Sequence, residues 1–190
     1  TTDYGKTWSL IVEGLPSRSF ARVVREDPVR KDMLYCGTET GVWLSFNAGR
    51  SWQSLQNNLP IVPIHDLTIK RDDLILATHG RSFWVLDNIV SLRQSVDFTR
   101  KDAVHLFHPQ AATKAGGRFG GNPGVAPGSQ FAENPPTGII IDYYLPNDSK
   151  QVQIQVKDKK GATVFTSTSA PTKKGFNRFS VNGLRYPGFR

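Results

Sequence analysis

His79-Gly80-Arg81 sets a titratable imidazole and a planar guanidinium on either side of a glycine, a combination suited to gripping a carboxylate or a sugar. Glu39, in Thr38-Glu39-Thr40-Gly41, has the chemistry of a glycosidase acid or nucleophile. His65-Asp66 combines a base with a carboxylate that could orient it, but neighbours in a strand point to opposite faces, which argues for separate roles. Arg18 and Arg22 add guanidinium groups of the kind that hold anions. Each residue also has a plainer use. His79 and Arg81 can bond carbonyls near their own turn, His65 and Asp66 can make contacts between sheets, and Glu39 can sit on a solvated hairpin tip.

Other chemistries are harder to assemble. His105 and His108 are three apart in a strand-like stretch, point to different faces and have no further ligand nearby, so no metal site is expected. Gly116-Gly117-Arg118-Phe119-Gly120-Gly121 lacks the lysine of a phosphate loop, and no Gly-x-Ser-x-Gly elbow occurs. No cofactor is expected. The lone Cys36 can form neither an internal disulfide nor a zinc site, and is a candidate for the core.

The elements that position these residues must come from a chain of 190 residues, 38% hydrophobic and 21% charged. That is too apolar for disorder, and no stretch approaches the roughly 18 apolar residues of a membrane span. The net charge of +8 is uneven. Residues 1–110 hold 13 Lys/Arg against 12 Asp/Glu, and residues 111–190 hold 11 against 4, as scattered pairs such as Lys159-Lys160 and Lys173-Lys174. With no basic helix or RNA-binding motif beside them, nucleic acid is not an expected partner.

Self-comparison organises the first part. Thr1-Thr2-Asp3-Tyr4-Gly5-Lys6-Thr7-Trp8 returns 44 residues later as Ser45-Phe46-Asn47-Ala48-Gly49-Arg50-Ser51-Trp52. The same offset carries Leu15-Pro16 onto Leu59-Pro60 and Val23 onto Leu67; with three residues deleted, it carries Cys36-Gly37-Thr38 onto Ala77-Thr78-His79 and Trp43 onto Trp84. A period of about 40 to 50 residues built from short strands fits a four-stranded propeller blade. One period predicts strands at 20–25, 33–37, 41–45 and from Trp52; the next predicts 64–70, 74–78 and 83–86. In the repeated unit Asp3 or Asn47 can accept backbone N–H bonds, Gly5 or Gly49 permits positive φ, Thr7 or Ser51 adds a hydroxyl bond, and Trp8 or Trp52 is expected to drop between sheets. Trp43 and Trp84 are likewise expected in the core.

These two octapeptides resemble the Asp box of bacterial neuraminidase repeat proteins, Ser/Thr-x-Asp-x-Gly-x-Thr-Trp, the second copy having Asn for Asp and Ser for Thr. Gly37-Thr38-Glu39-Thr40-Gly41-Val42-Trp43 and Ala77 to Asp87 are similar to blade segments of large bacterial proteins of the sortilin-like or glycosyl-hydrolase-like class. The resemblance implies an all-β fold: the last blades of an Asp-box β-propeller (1–110), a linker (111–137) and a partial immunoglobulin-like β-sandwich (138–190). It implies a cut piece of a longer parent, extracellular or periplasmic, whose remaining blades are its partners. The pattern is lost at Leu86-Asp87-Asn88-Ile89-Val90, as expected of a terminal blade. Two functions follow from the resemblance: carbohydrate binding or hydrolysis by the parent, or a non-catalytic scaffold for peptide or protein ligands. No Tyr and carboxylate pair of sialidase type can be assigned, so whether the parent is an enzyme stays open.

Propeller connectivity would place Asp3, Gly5, Asn47 and Gly49 on one rim and Glu39, Thr40, His79, Gly80 and Arg81 on the other, with Arg18, Phe20, Arg22, His65 and Asp66 in or after the connections joining this second group. The second rim is the expected ligand site. Residues 111–138 hold seven glycines and four prolines and read as linker. Val104-His105-Leu106-Phe107 alternates like a strand that completes the last blade. Strands are expected at 138–145, 151–157, 162–167 and 176–181, with a hairpin turn at Lys157-Asp158-Lys159-Lys160-Gly161.

Overall fold

A computed structural model describes residues 1, 3–95, 103–112 and 138–181. Among the described residues the fold is all-β apart from one five-residue helix, the strands run antiparallel within each sheet, and no sheet closes on itself. It divides into two compact units, Thr1–Val96 and Asp97–Arg190.

The first unit holds the repeat. Strands β1 (Ala21–Glu26), β2 (Leu34–Thr38), β3 (Gly41–Ser45) and β4 (Gln53–Ser54) form a four-stranded meander in that order. Strands β5 (Ile64–Lys70), β6 (Asp73–Thr78) and β7 (Phe83–Leu86) form a second, three-stranded one. Their runs of Val, Ile, Leu, Tyr and Trp between Gly, Asp and Asn turns favour strand over helix. Val23, Tyr35, Val42 and Leu44 of the first sheet share one core with Ile64, Leu67, Leu74 and Leu76 of the second. The sheets approach closely at Gly37, where a Cβ would lie 2.8 Å from both Ile64 Cγ2 and Val23 Cγ1. Only a residue without a side chain fits there.

Ladder register refines the repeat. Trp43 pairs with Cys36 and Trp84 with Leu76, while Ala21 pairs with Thr38 and Ile64 with Thr78. Structural equivalence therefore carries Cys36 onto Leu76 and Thr38 onto Thr78, one residue earlier than the sequence alignment placed them. Both first strands also bulge, between Ala21 and Val23 and between Ile64 and Asp66, so Arg22 and His65 hold the same bulge position.

After β7 the chain turns into a short helix, α1 (Val90–Gln94), instead of a fourth strand. The helix has no side-chain cap and is too short to stand alone. Burial of Ile89 and the bond from Ile89 N to Asp72 O (2.7 Å) hold its start.

In the second unit β8 (His105–Leu106), β9 (Ile139–Leu145) and β12 (Gly175–Val181) form a sheet in the order β12-β9-β8, and β10 (Ile154–Lys157) pairs with β11 (Thr163–Ser167). Ile141, Tyr143, Leu145 and Val181 from the first sheet pack with Ile154, Val156 and Phe165 from the hairpin, and with Val152 just before it. The alternating apolar residues of 152–156 thus face the core. Asp158 closes the hairpin, accepting the N–H groups of Lys160 (2.8 Å) and Ala162 (2.9 Å) on Oδ1. One expectation is corrected. Val104-His105-Leu106-Phe107 completes no blade, because Leu106 pairs with Tyr143 and His105 with Tyr144 of β9. The first compact unit ends at Val96. The linker expected over 111–137 lies outside the described residues beyond Ala112, as does the segment after Val181.

Candidate functional site

The antiparallel ladders sort the turns of the first unit to two ends. At one end, Thr38 faces Gly41 across the β2–β3 turn; at the other, Leu34 faces Ser45, where the second copy of the repeated octapeptide begins. Its turn is tied there to the β1–β2 turn by Ala48 N donating to Asp32 O (2.8 Å). Glu39 and the octapeptide of Asn47 therefore occupy opposite ends of one sheet.

The two copies of the octapeptide share one hydrogen-bond plan. In the first, Gly5 N donates to Thr1 Oγ1 (2.8 Å) and Thr7 N to Asp3 Oδ1 (2.9 Å). In the second, Gly49 N donates to Ser45 Oγ and Ser51 N to Asn47 Oδ1, both at 2.9 Å. The two central residues are left-handed in both, with φ of 58° and 86° at Tyr4 and Gly5 and of 59° and 82° at Ala48 and Gly49. One bond reverses. Thr7 Oγ1 donates to Asp3 Oδ2 (2.7 Å), whereas Asn47 Nδ2 donates to Ser51 Oγ (2.9 Å), because a carboxylate only accepts and an amide nitrogen only donates. The bonds from Thr7 hold the Asp3 carboxyl below its usual range.

The tryptophans divide. Trp52 is buried and anchored by its indole N–H on Ile11 O (2.8 Å) and its backbone N–H on Glu13 O (2.8 Å). Trp8 is 79% exposed, with its indole turned back to Gly5 O (3.2 Å), and Trp43 and Trp84 are half-buried. Of the four expected in the core, only Trp52 is fully there. Among the described residues no segment covers Trp8 in the way that Ile11 and Glu13 cover Trp52.

At the opposite end, residues of both repeats come together. Arg22, at the bulge of β1, forms an ion pair with Glu39, and its guanidinium stacks 5.0 Å from the ring centroid of Phe20. His65, at the bulge of β5, lies with its ring centroid 5.0 Å from that of His79, the planes tilted by 31°. Glu39 follows Thr38 as His79 follows Thr78, so the two pairs are repeat equivalents. The backbone explains the meeting: His79 N donates to Pro63 O (2.9 Å), fixing the end of the β5–β6 ladder, and the bulge turns the side chain of residue 65 toward it.

The other expected residues are dispersed. Asp66 accepts from Arg25 Nη2 (3.2 Å) of the neighbouring sheet while the His65 ring lies against His79, so the two are engaged with different partners. Arg18 and Arg81 are exposed, and Trp84 Nε1 donates to Arg81 O (3.0 Å) across the β6–β7 turn. Phe20 and Phe83 are 60% and 72% exposed at the same end. Both candidate carboxylates, Glu39 and Asp66, are thus held by arginines. Among the described residues no group of three or more His, Cys, Asp or Glu side chains is placed to hold a metal ion, and no helix is long and apolar enough to cross a membrane.

Sequence reasoning missed the polar cluster that ties the first unit together at the end carrying the β1–β2 turn. Asp27, fully buried, accepts from Val29 N and Arg30 N (both 2.9 Å), from Tyr35 Oη (3.3 Å) and from Arg93 Nε. Arg93 also donates to Asp72 (2.5 Å) and to Arg71 O (3.1 Å). Burial works against the charge of Arg93, and the two carboxylates outweigh it, raising its pKa. Burial beside Asp27 pushes the Tyr35 hydroxyl up as well. The available signal was Asp27-Pro28-Val29-Arg30, an Asx-type turn; nothing local marks Arg93 as its partner.

The chain matches no family model, no curated protein and no solved structure.

Proposed function

We propose that the first unit is a two-repeat stretch of an Asp-box β-propeller and that it binds carbohydrate at the end carrying Glu39, His79 and Arg81. One observation carries the reading: both repeats use a bulge residue and the residue after the second strand, Arg22 with Glu39 and His65 with His79, to build a polar surface at one end. Exposed Phe20 and Phe83 beside these groups give apolar surface on which a sugar ring can lie. In this reading the second unit is the accessory immunoglobulin-like sandwich, and the protein is exported.

Binding is favoured over hydrolysis within this chain. Two-carboxylate hydrolysis needs acids about 5 to 9.5 Å apart and free to exchange protons or attack. Glu39 and Asp66 are each engaged by an arginine. A hydrolytic parent would draw its acids from other blades. The same observation favours, as a second reading, a non-catalytic scaffold that holds peptide through Phe20, Phe83, Arg18 and Arg81.

A glycan array probed with the purified chain tests the first reading. Saturable binding that is lost in Arg81→Ala supports it; an empty array together with capture from a peptide library replaces it with the second. Reducing-sugar release by this chain alone would overturn the assignment of both carboxylates to ion pairs.

A further inference from the structure

We propose that His65 and His79 form a bidentate imidazole site for a divalent first-row transition ion such as Zn²⁺, Ni²⁺ or Cu²⁺, with water or an outside donor completing the coordination.

The separation fits. A metal–nitrogen bond of about 2.0–2.1 Å plus roughly 1.1 Å from nitrogen to ring centre puts two imidazoles on one tetrahedral ion at about 5 Å between centroids. The observed value is 5.0 Å. Both residues are exposed, so the rings can turn about χ2 to aim their nitrogens without disturbing the core. The backbone below them is fixed, on one side by the bulge between Ile64 and Asp66 and on the other by the bond from His79 N to Pro63 O. A fixed spacing lowers the entropy lost when the second nitrogen binds.

The first repeat strengthens the assignment. The same two positions there hold Arg22 and Glu39, whose opposite charges satisfy one another. Two imidazoles form no such ion pair, since neither form of the ring is an anion, but both neutral rings can turn a nitrogen lone pair toward one shared cation. Imidazole is a borderline donor suited to Zn²⁺, Ni²⁺ and Cu²⁺ rather than to Mg²⁺ or Ca²⁺. With two protein ligands, the ion keeps open positions that face solvent, where a carboxylate or hydroxyl of a bound molecule can enter. The site shares residues with the proposed carbohydrate surface but is argued from the ring spacing alone.

The test uses the untagged full chain. Isothermal titration with Zn²⁺ and Ni²⁺ should show one site per chain, weakened at least about tenfold in His65→Ala and in His79→Ala, because each leaves a single ligand. His105→Gln combined with His108→Gln should leave it unchanged. Cu²⁺ electron paramagnetic resonance should show hyperfine coupling to two equivalent nitrogens, reduced to one in either single variant. Wild-type affinity in both single variants, or no saturable uptake by a chain whose circular dichroism shows it folded, overturns the proposal. Loss of glycan binding with metal uptake intact would remove the carbohydrate reading and leave this one standing.

Discussion

Arg93 Nε donates to both carboxylate oxygens of Asp27, at 3.0 and 2.9 Å, across 66 residues of sequence. The Asp27 side chain is 0% exposed and that of Arg93 8%, so this bond joins the β1–β2 turn of the first sheet to the helix that follows the second.

Removing one partner leaves the other charged and buried. Arg93→Met is expected to destabilise the first unit by about 3–5 kcal/mol. Combining it with Asp27→Asn should recover part of that loss, since no buried charge is then left unpaired. Urea denaturation of wild type, each single variant and the double variant measures both effects; additive losses would show the two residues to be uncoupled.

The repeated octapeptides make a directional prediction. Asn47→Asp should change stability by less than about 0.5 kcal/mol, because Ser51 can turn its hydroxyl to donate as Thr7 does to Asp3. Asn47→Ala, which strips acceptors from Ser51 N and Ser45 Oγ, should cost about 1–2 kcal/mol. Gly49→Ala should also be costly, because φ is 82° and its Cβ would stand 2.7 Å from Ile11 Cδ1. Thermal melts of the three variants rank them.

Gly37→Ala tests the packing of the two repeats. The added methyl meets Ile64 and Val23 at 2.8 Å, and overpacking of this kind costs about 1–3 kcal/mol. Shortening Ile64 to Val in the same chain should return some of it. A melt in which Gly37→Ala matches wild type would place the sheets further apart than described.

Alkali should weaken the first unit. Burial pushes the Cys36 thiol up from 9.0 to about 11, and burial beside Asp27 raises Tyr35. Both groups bind their proton more tightly in the native state, so the unfolded chain ionises first. The thiol's contribution is complete below about pH 9, its unfolded value, and is lost as pH climbs toward 11, while that of Tyr35 starts to fall only near its ordinary value of 10.0. Urea midpoints should therefore fall between pH 8 and pH 10.5. At pH 8 Cys36 should resist iodoacetamide until the chain unfolds; rapid alkylation of native protein would contradict its burial.

What could be read in the residues was whatever repeats or alternates. Strands at 41–45, 64–70 and 83–86 match their expected bounds, and the turn of Asn47 forms the bonds its residue types required. The antiparallel meander alone puts Glu39 and Asn47 at opposite ends of their sheet. What could not be read depends on partners distant in sequence. His105-Leu106 alternates as any strand does, and nothing local says that it joins β9 and not the repeat. Trp8 and Trp52 sit in near-identical octapeptides, yet one is exposed and the other buried, because only Trp52 has residues 11–13 laid across it. The meeting of His65 with His79 needed the bulge, which shifts register by one residue and which no side-chain pattern encodes.

That extra residue in β1 and again in β5 divides the labour of each repeat. The ladder on either side of it carries the packing, and the displaced position carries none. An arginine or a histidine can therefore stand there, facing a glutamate or a second histidine, while the sheet beneath stays the same. Each repeat thus offers a socket whose contents can be exchanged without renegotiating the fold, and a row of such sockets along one edge would let a protein of many repeats compose a binding surface one pair at a time.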